Sequence, residues 1–160
     1  MSAFKSAFAA IARLAMLIAT VSLCGLVVCL AWQVFGRYVL NASPGWTEPV
    51  ALTLMGIAAL FGAAVAVRNE THFNFPTLVE SAPQGVRVGL KAVSRLIALG
   101  FGLTLCFYGF ELMADAWDVP MAGAPLPEGV SFIGVFAGGA LIALFAIERL
   151  LTGDPEAEGA

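Results

Sequence analysis

The sequence predicts an all-α integral membrane protein with four transmembrane helices, and three observations support this. Four long apolar runs fill most of the 160 residues, and each is close to the roughly 20 residues that cross a bilayer's hydrocarbon core. Only 12% of the residues are charged, against about 25% in soluble domains. The mean hydropathy is +0.91. The runs are Leu14–Phe35, Val50–Val67, Leu90–Met113 and Val130–Ile147.

The positions of Lys and Arg predict the orientation of this domain. Seven of the eight basic residues lie toward one side of the runs, and only Arg37 lies on the other. Short loops rich in Lys and Arg stay in the cytoplasm, so both termini are expected there. We expect a single four-helix domain over residues 1–151 and a disordered cytoplasmic tail over 152–160, rich in Gly, Pro and Glu.

The segment before the first run has two interpretations. Phe4, Phe8 and Ile11 recur at helical spacing beside Lys5 and Arg13, which is typical of a short amphipathic helix on the membrane surface. The same spacing fits a simple extension of the first span. The run itself is longer than the apolar core of about 7–15 residues in a signal peptide, so we expect it to be retained.

The break between the first two runs predicts a turn followed by a new helix. Residues 41–45 form a turn cluster of Asn, Ala, Ser, Pro and Gly. Thr47 is predicted to cap the next helix, Glu48 suits the positive N-terminal end of a helix, and Pro49 is tolerated in a first turn. Three aromatic residues are expected at the outer membrane interface: Trp32, Tyr38 and Trp46.

The sequence offers few groups that could hold a metal or cofactor. His72 is the single histidine and lies between the second and third runs, where an interfacial polar role is favoured because metal sites need several ligands. Cys24, Cys29 and Cys106 lie inside apolar runs and are expected to behave as small hydrophobic residues. A short surface helix is predicted from Pro76 to Pro83. We expect no cofactor and no metal site.

Ionisable residues are also missing from the middle of every run, where they would mark a solute or ion pathway. Glu111, near the end of the third run, forms a predicted i, i+4, i+7 stripe with Asp115 and Asp118. This stripe is interpreted as a docking edge for a basic outer partner, as a pairing site for Arg37, or as an ordinary hydrated helix end.

Small residues are plentiful and predict close helix packing. Gly134 and Gly138 form a Gly-x-x-x-Gly motif in the fourth run, and Gly139 and Ala143 are expected to extend the same face. Small residues let helix backbones approach each other in lipid. Whether the neighbouring helix belongs to the same chain is left open by the motif. Similar pairs lie in the first two runs: Ala15 with Ala19, and Ala59 with Ala63.

These residues carry a resemblance to a known family. Trp32, then the segment Phe35–Tyr38, a short turn and the segment Trp46–Glu48 resemble the small membrane subunit of TRAP (tripartite ATP-independent periplasmic) transporters, the DctQ-like family. The resemblance covers the whole chain in size, in its four spans and in the order of its motifs.

A second motif supports the resemblance. In that family a His-hydrophobic-x-hydrophobic segment follows the second span, and a Pro and a basic residue lead into the third. This chain has His72–Phe75, then Pro83 and Arg87. It departs from the family pattern at Pro49, where a second acid is common, and at Asn74, where Asp is frequent. No role is assigned to these two positions.

The resemblance implies a scaffold subunit rather than an enzyme. Such a subunit is expected in the bacterial inner membrane, packed against a large multi-span transport subunit and helping to dock a periplasmic solute-binding protein. The complex would import an organic acid, driven by sodium. The candidate residues for the subunit contact are Trp32, Arg37, Tyr38, Trp46 and Glu48, with Glu111, Asp115 and Asp118 for outer docking. Taken singly, they equally fit an aromatic belt, a snorkelling Arg, a helix cap and a hydrated helix end.

Two other functions are weighed against this one. A small self-assembling homodimeric transporter requires an ionisable residue deep in a span. An electron-transfer anchor requires paired His or Cys ligands. The sequence lacks both features, so it favours a packing role over conduction or redox chemistry.

Overall fold

The computed structural model describes residues 2–42, 44–69 and 84–152. Within these residues the chain forms α1 (Ser2–Tyr38), α2 (Thr47–Arg68), α3 (Gln84–Asp115) and α4 (Ile133–Thr152), with a short 3-10 helix, Glu128–Phe132, before α4. Four helical segments of the described chain are long and apolar enough to cross a membrane. The predicted all-α fold with four spans is confirmed. The predicted helix from Pro76 to Pro83, His72 and the tail beyond Thr152 lie outside the described residues.

The first helix is much longer than the apolar run that predicted it. It extends over 37 residues, which corresponds to roughly 55 Å at 1.5 Å per residue. The segment around Phe8 and Ile11 continues directly into the span. The interpretation of this segment as a separate surface helix is therefore wrong, and the segment extends the first span. This segment contains no Pro or Gly before Gly25, so nothing in it interrupts the helix.

The helices form two antiparallel hairpins placed side by side. α1 packs on α2, α3 packs on α4, and the hairpins meet through α2 and α4. These two run parallel, because Thr53 lies beside Ser131 and Arg68 lies beside Glu148. In order of contact the row is α1, α2, α4, α3. We call the end that carries Ser2 and Thr152 the terminal end, and the opposite end the loop end.

The buried residues are mostly small and lie along the helix contacts. On α1 they recur along one face, in the order Ala12, Ala15, Ala19, Ser22 and Cys29. At the terminal end, Ala12 joins Ala64, Ile142 and the fully buried Phe145 in one cluster. Large apolar side chains instead cover the outer surface of the row, where lipid or a partner would contact them. Ala59 is also exposed, while Ala63 packs against the cluster.

Candidate partner-contact site and helix-packing residues

Arg37, the first candidate for a subunit contact, lies in the last turn of α1 at the loop end. Its side chain is exposed, and no other described residue forms an ion pair or hydrogen bond with it. Glu48 lies in the first turn of α2, is also exposed and has no such partner among the described residues either. Arg37 and Glu48 therefore form no internal pair, and both charges face outward.

The aromatic candidates surround these two charges. Trp32 is 47% exposed, Tyr38 75% and Trp46 42%. The rings of Trp32 and Phe35 lie 5.8 Å apart, so part of this surface is pre-packed. The structure thus brings all five contact candidates to the loop end of α1 and the start of α2. An exposed apolar surface with charges beside it is the kind of surface that a partner or the membrane interface covers.

The turn between α1 and α2 fixes the position of Trp46 and Glu48. Thr47 is fully buried, and its hydroxyl donates to the carbonyl oxygen of Pro44 at 2.7 Å. The thiol of Cys29 donates to the carbonyl oxygen of Thr47 at 3.3 Å. The predicted capping role of Thr47 is wrong: Trp46 occupies the cap position, and no side chain caps this helix. The Thr47 hydroxyl bonds backward to the turn instead of forward to the helix.

The three acidic docking candidates lie at the loop end of the other hairpin. Glu111 and Asp115 are exposed on the last turns of α3. Asp118 is exposed in the turn after the helix, where the amide of Trp117 already bonds the carbonyl of Ala114 in a tighter turn. The predicted i, i+4, i+7 stripe is therefore interrupted, because α3 ends at Asp115. None of the three pairs with Arg37 among the described residues.

The loop that follows α3 is tightly folded and touches the other loop. Its backbone bonds join Met121 to Leu126 and Val119 to Glu128, each at 2.8 Å. Gly123 has a positive φ of 79°, and a Cβ there would lie 2.6 Å from the backbone of Gly45 in the first loop. This contact joins the two loops into one surface, which sequence reasoning did not predict. Three apolar residues are exposed on it: Trp117, Val119 and Leu126.

The predicted Gly-x-x-x-Gly motif lies on α4 against α2 of the same chain. A Cβ at Gly134 would lie 3.0 Å from the backbone nitrogen of Ile57, and one at Gly138 would lie 2.5 Å from the Cβ of Leu60. Gly139 and Ala143 do not extend this face. They contact α3, so α4 has two separate small-residue faces, one for each neighbour.

The second face of α4 meets glycines that sequence reasoning missed. A Cβ on Gly102 of α3 would lie 2.6 Å from the backbone nitrogen of Ala143, and one on Gly109 would lie 2.8 Å from that of Phe136. On the α4 side, a Cβ at Gly139 would lie 2.6 Å from the nitrogen of Cys106. Gly102 and Gly109 are seven residues apart, two helical turns, and this spacing was the available signal.

A buried ion pair at the terminal end was also missed. Glu148 is 4% exposed and accepts two hydrogen bonds from Arg68, from Nε at 2.8 Å and from Nη2 at 3.0 Å. The sequence held a signal for this pair, because each residue directly follows the end of an apolar run and both ends lie on the same predicted side of the membrane. Only the fold shows that their two helices are neighbours.

Comparisons with known proteins agree with this architecture of a membrane-embedded helical subunit. Residues 26–155 match the family described as tripartite ATP-independent periplasmic transporters, DctQ component. The chain belongs to this family. It is also similar to the sialic acid TRAP transporter small permease protein SiaQ of Vibrio cholerae serotype O1, with 27% identity over 137 residues, covering 80% of this chain and 78% of the relative.

Family membership confirms the resemblance seen in the sequence and sets the general role. The chain is the small permease component of a TRAP transporter, and this family consists of transporter subunits rather than enzymes. With its four apolar helices, it is a multi-pass protein of the bacterial inner membrane.

Proposed function

We propose that this chain is a static scaffold subunit that binds no solute itself. Its lipid-level faces would pack against the large multi-span subunit, and its outer loops would help receive the periplasmic solute-binding protein. The observation that carries this proposal is that the buried carboxylate of the described chain is already paired with an arginine. Glu148 is the one buried carboxylate of the described residues, and Arg68 already neutralises it at the terminal end. No other described carboxylate is placed to bind a solute or a coupling ion inside the row.

The large subunit is proposed to contact the loop end of the first hairpin. Arg37 and Glu48 are both exposed there without partners in the described chain, beside Trp32, Tyr38 and Trp46. An arginine near the membrane interface gains most from a carboxylate that it can bind in two places. A carboxylate of the large subunit would supply that contact, because Glu48 does not.

The binding protein is proposed to dock on the joined outer loops. This requires both termini to lie in the cytoplasm, which the excess of Lys and Arg at the terminal end supports. Glu111, Asp115 and Asp118 then face the periplasm at the loop end and are exposed. They would attract basic residues of a docking protein, mainly by increasing the association rate at low salt.

We propose an organic acid as the transported solute and sodium as the coupling ion. The similar protein of Vibrio cholerae is named for sialic acid, which is an organic acid. Both sites would lie on the large subunit, so the residues of this chain do not determine which acid is carried.

The direct test replaces Arg37 with Ala and measures co-purification with the large subunit. The proposal predicts a loss of about 1.5–3 kcal/mol in the subunit contact, the usual value for a charge-assisted hydrogen bond, and thus a clearly lower complex yield. Arg13→Ala is the matched control, because Arg13 is an exposed arginine on the same helix at the opposite end. Equal yields for the Arg37 variant, the control and the parent chain would count against the contact.

The alternative is a small transporter that works as a homodimer. It needs an ionisable group available to the solute, and the described buried carboxylate is already paired. Uptake by this chain reconstituted in the absence of the large subunit would favour the homodimer, and we expect none.

A further inference from the structure

We propose that Arg68, Glu148 and Arg149 form a register clasp that fixes how far α4 lies along α2. The clasp would set the relative position of the two hairpins, and it goes beyond the proposed function because it concerns the inside of the subunit rather than its partners. Arg68 and Glu148 would act as positioning residues for the whole surface that the subunit presents.

The first contact of the clasp is a bidentate ion pair between the hairpins. Arg68 donates from Nε and Nη2 to the two carboxylate oxygens of Glu148, at 2.8 and 3.0 Å. The side chains are 19% and 6% exposed. The guanidinium carbon also lies 5.8 Å from the ring centre of Phe145, one turn earlier on α4. A planar fork bound at two points permits one alignment of the two helices.

The second contact joins the same two helices, but here the donor lies on α4 and the acceptor on α2. Nε of Arg149 donates to the backbone carbonyl of Arg68, the last residue of α2. The last carbonyls of a helix have no partner within it, and positive charge is favourable at this end. Thr152 donates its hydroxyl to the carbonyl of Glu148 at 2.7 Å, which secures the end of α4. α4 therefore closes the C-terminal end of α2.

The rest of the α2–α4 contact consists mainly of close packing around two glycines. Gly134 and Gly138 present small faces to Ile57 and Leu60. A shift of α4 by one turn, about 5.4 Å, would place Gly138 opposite Ile57 but bring Ile142 to Leu60, so the small-residue contact would be kept at only one of the two positions. In lipid the hydrophobic effect does not drive helix association, so directional contacts add to this packing in selecting the alignment.

Stability alone is a poor explanation of the pair. Replacing a buried ion pair by apolar side chains of similar volume is often neutral or stabilising. What apolar side chains cannot reproduce is the fixed two-point geometry. The pair is therefore expected to contribute alignment more than free energy of folding.

The test reads the alignment of the isolated chain by disulfide cross-linking. The hydroxyl oxygens of Thr53 and Ser131 lie 3.3 Å apart across the α2–α4 contact, so Thr53→Cys with Ser131→Cys reports the native alignment. Thr53→Cys with Val135→Cys reports a one-turn shift. Both reporters are built in a chain whose three natural cysteines are replaced by Ser. The chain is purified without its partners, so failure of this inference is separate from failure of the proposed scaffold role.

The decisive variant is Arg68→Met with Glu148→Met, and Arg13→Met is the control on an exposed arginine. The clasp predicts that the double variant purifies as a single species. Its native cross-link should fall about threefold or more, which is the effect of losing a typical interhelical hydrogen bond in lipid. The shifted cross-link should increase. An unchanged native cross-link in well-folded protein would overturn the inference.

A second comparison applies if the double Met variant does not accumulate. Arg68→Glu combined with Glu148→Arg restores an opposite-charge pair, whereas each single replacement places like charges together. The clasp predicts more native cross-link in the exchanged chain than in either single variant. An exchanged chain no better than the single variants would overturn it.

Discussion

Single atoms decide the packing of α3 on α4, because the helix backbones are in contact there. A Cβ at Gly139 would lie 2.6 Å from the nitrogen of Cys106, which is closer than real contacts allow. We predict that Gly139→Ala lowers stability by about 1–3 kcal/mol, since the helices must separate. A lower midpoint of thermal unfolding in detergent would be the measured result.

The matched control for that replacement is Gly100→Ala on α3. A Cβ at Gly100 would meet nothing within 4 Å. Removing a mid-helix glycine at an open position gains up to about 1 kcal/mol in helix propensity. The control is expected to be neutral or stabilising, and equal losses in both variants would contradict the packing assigned to Gly139.

The hydroxyl of Thr47 gives a second prediction for a single residue. It is fully buried and bonds the carbonyl of Pro44, whereas the hydroxyl of Thr104 bonds the carbonyl of Gly100 from an exposed position. Thr47→Val should cost about 0.5–1.5 kcal/mol, because the hydroxyl bond to the Pro44 carbonyl is lost while that carbonyl keeps the amide of Thr47 at 3.3 Å. Thr104→Val should stay close to the parent. Thermal unfolding compares the two, and a Thr104 variant that loses as much would contradict this account of the turn.

At the scale of residues, the sequence predicted which residue types allow close helix packing better than it predicted which residues contact each other. It predicted that Gly134 and Gly138 allow close helix approach, but it left their neighbour open. The pairs Arg68–Glu148 and Gly102–Ala143 join residues far apart in sequence, and no local pattern marks them as partners. The Thr47 cap was wrong for a local reason: its hydroxyl found the carbonyl of Pro44 in the preceding turn.

At the scale of helices, hydrophobic length predicted all four spans but not their ends. α1 begins at Ser2, well before its apolar run, because the Ala-rich segment from Ala7 to Ala12 favours a helix. This extension packs at the terminal end, where Phe8 and Ala12 reach the cluster around Phe145. The helical spacing of apolar residues beside basic ones fits both interpretations, and the continuous helix with this tertiary contact distinguishes them.

The two hairpins are expected to behave as separate units that recognise each other. Each is packed internally by small residues, and the described α2–α4 contacts lie between residues of α2 and the segment from Glu128 onward. We predict that residues 1–75 and 76–160, coexpressed as two chains, copurify through the α2–α4 contact. Pull-down of a tagged first half measures this.

The control for the divided chain carries Gly138→Leu. A side chain at this position would collide with Leu60 of α2, so the halves should no longer copurify. Halves that fail to associate even with the native sequence would contradict the description of the hairpins as preformed units.

At the scale of the whole molecule, the helices form a row rather than a closed bundle. The contacts run from α1 to α2, from α2 to α4 and from α4 to α3, so broad apolar faces remain at the surface. The sequence did not predict this order, because small residues occur in all four runs and fit several arrangements. A wide exposed surface with its buried charge neutralised suits a subunit that supports a companion in the membrane.

The central claim is that this chain supports transport but carries no solute, and reconstituted uptake tests it most directly. Proteoliposomes would contain this chain alone, or this chain with its large subunit, each supplied with the binding protein, a labelled organic acid and a sodium gradient. We expect uptake from the complex and none above empty vesicles from the chain alone. Gradient-dependent uptake by the chain alone would contradict the account.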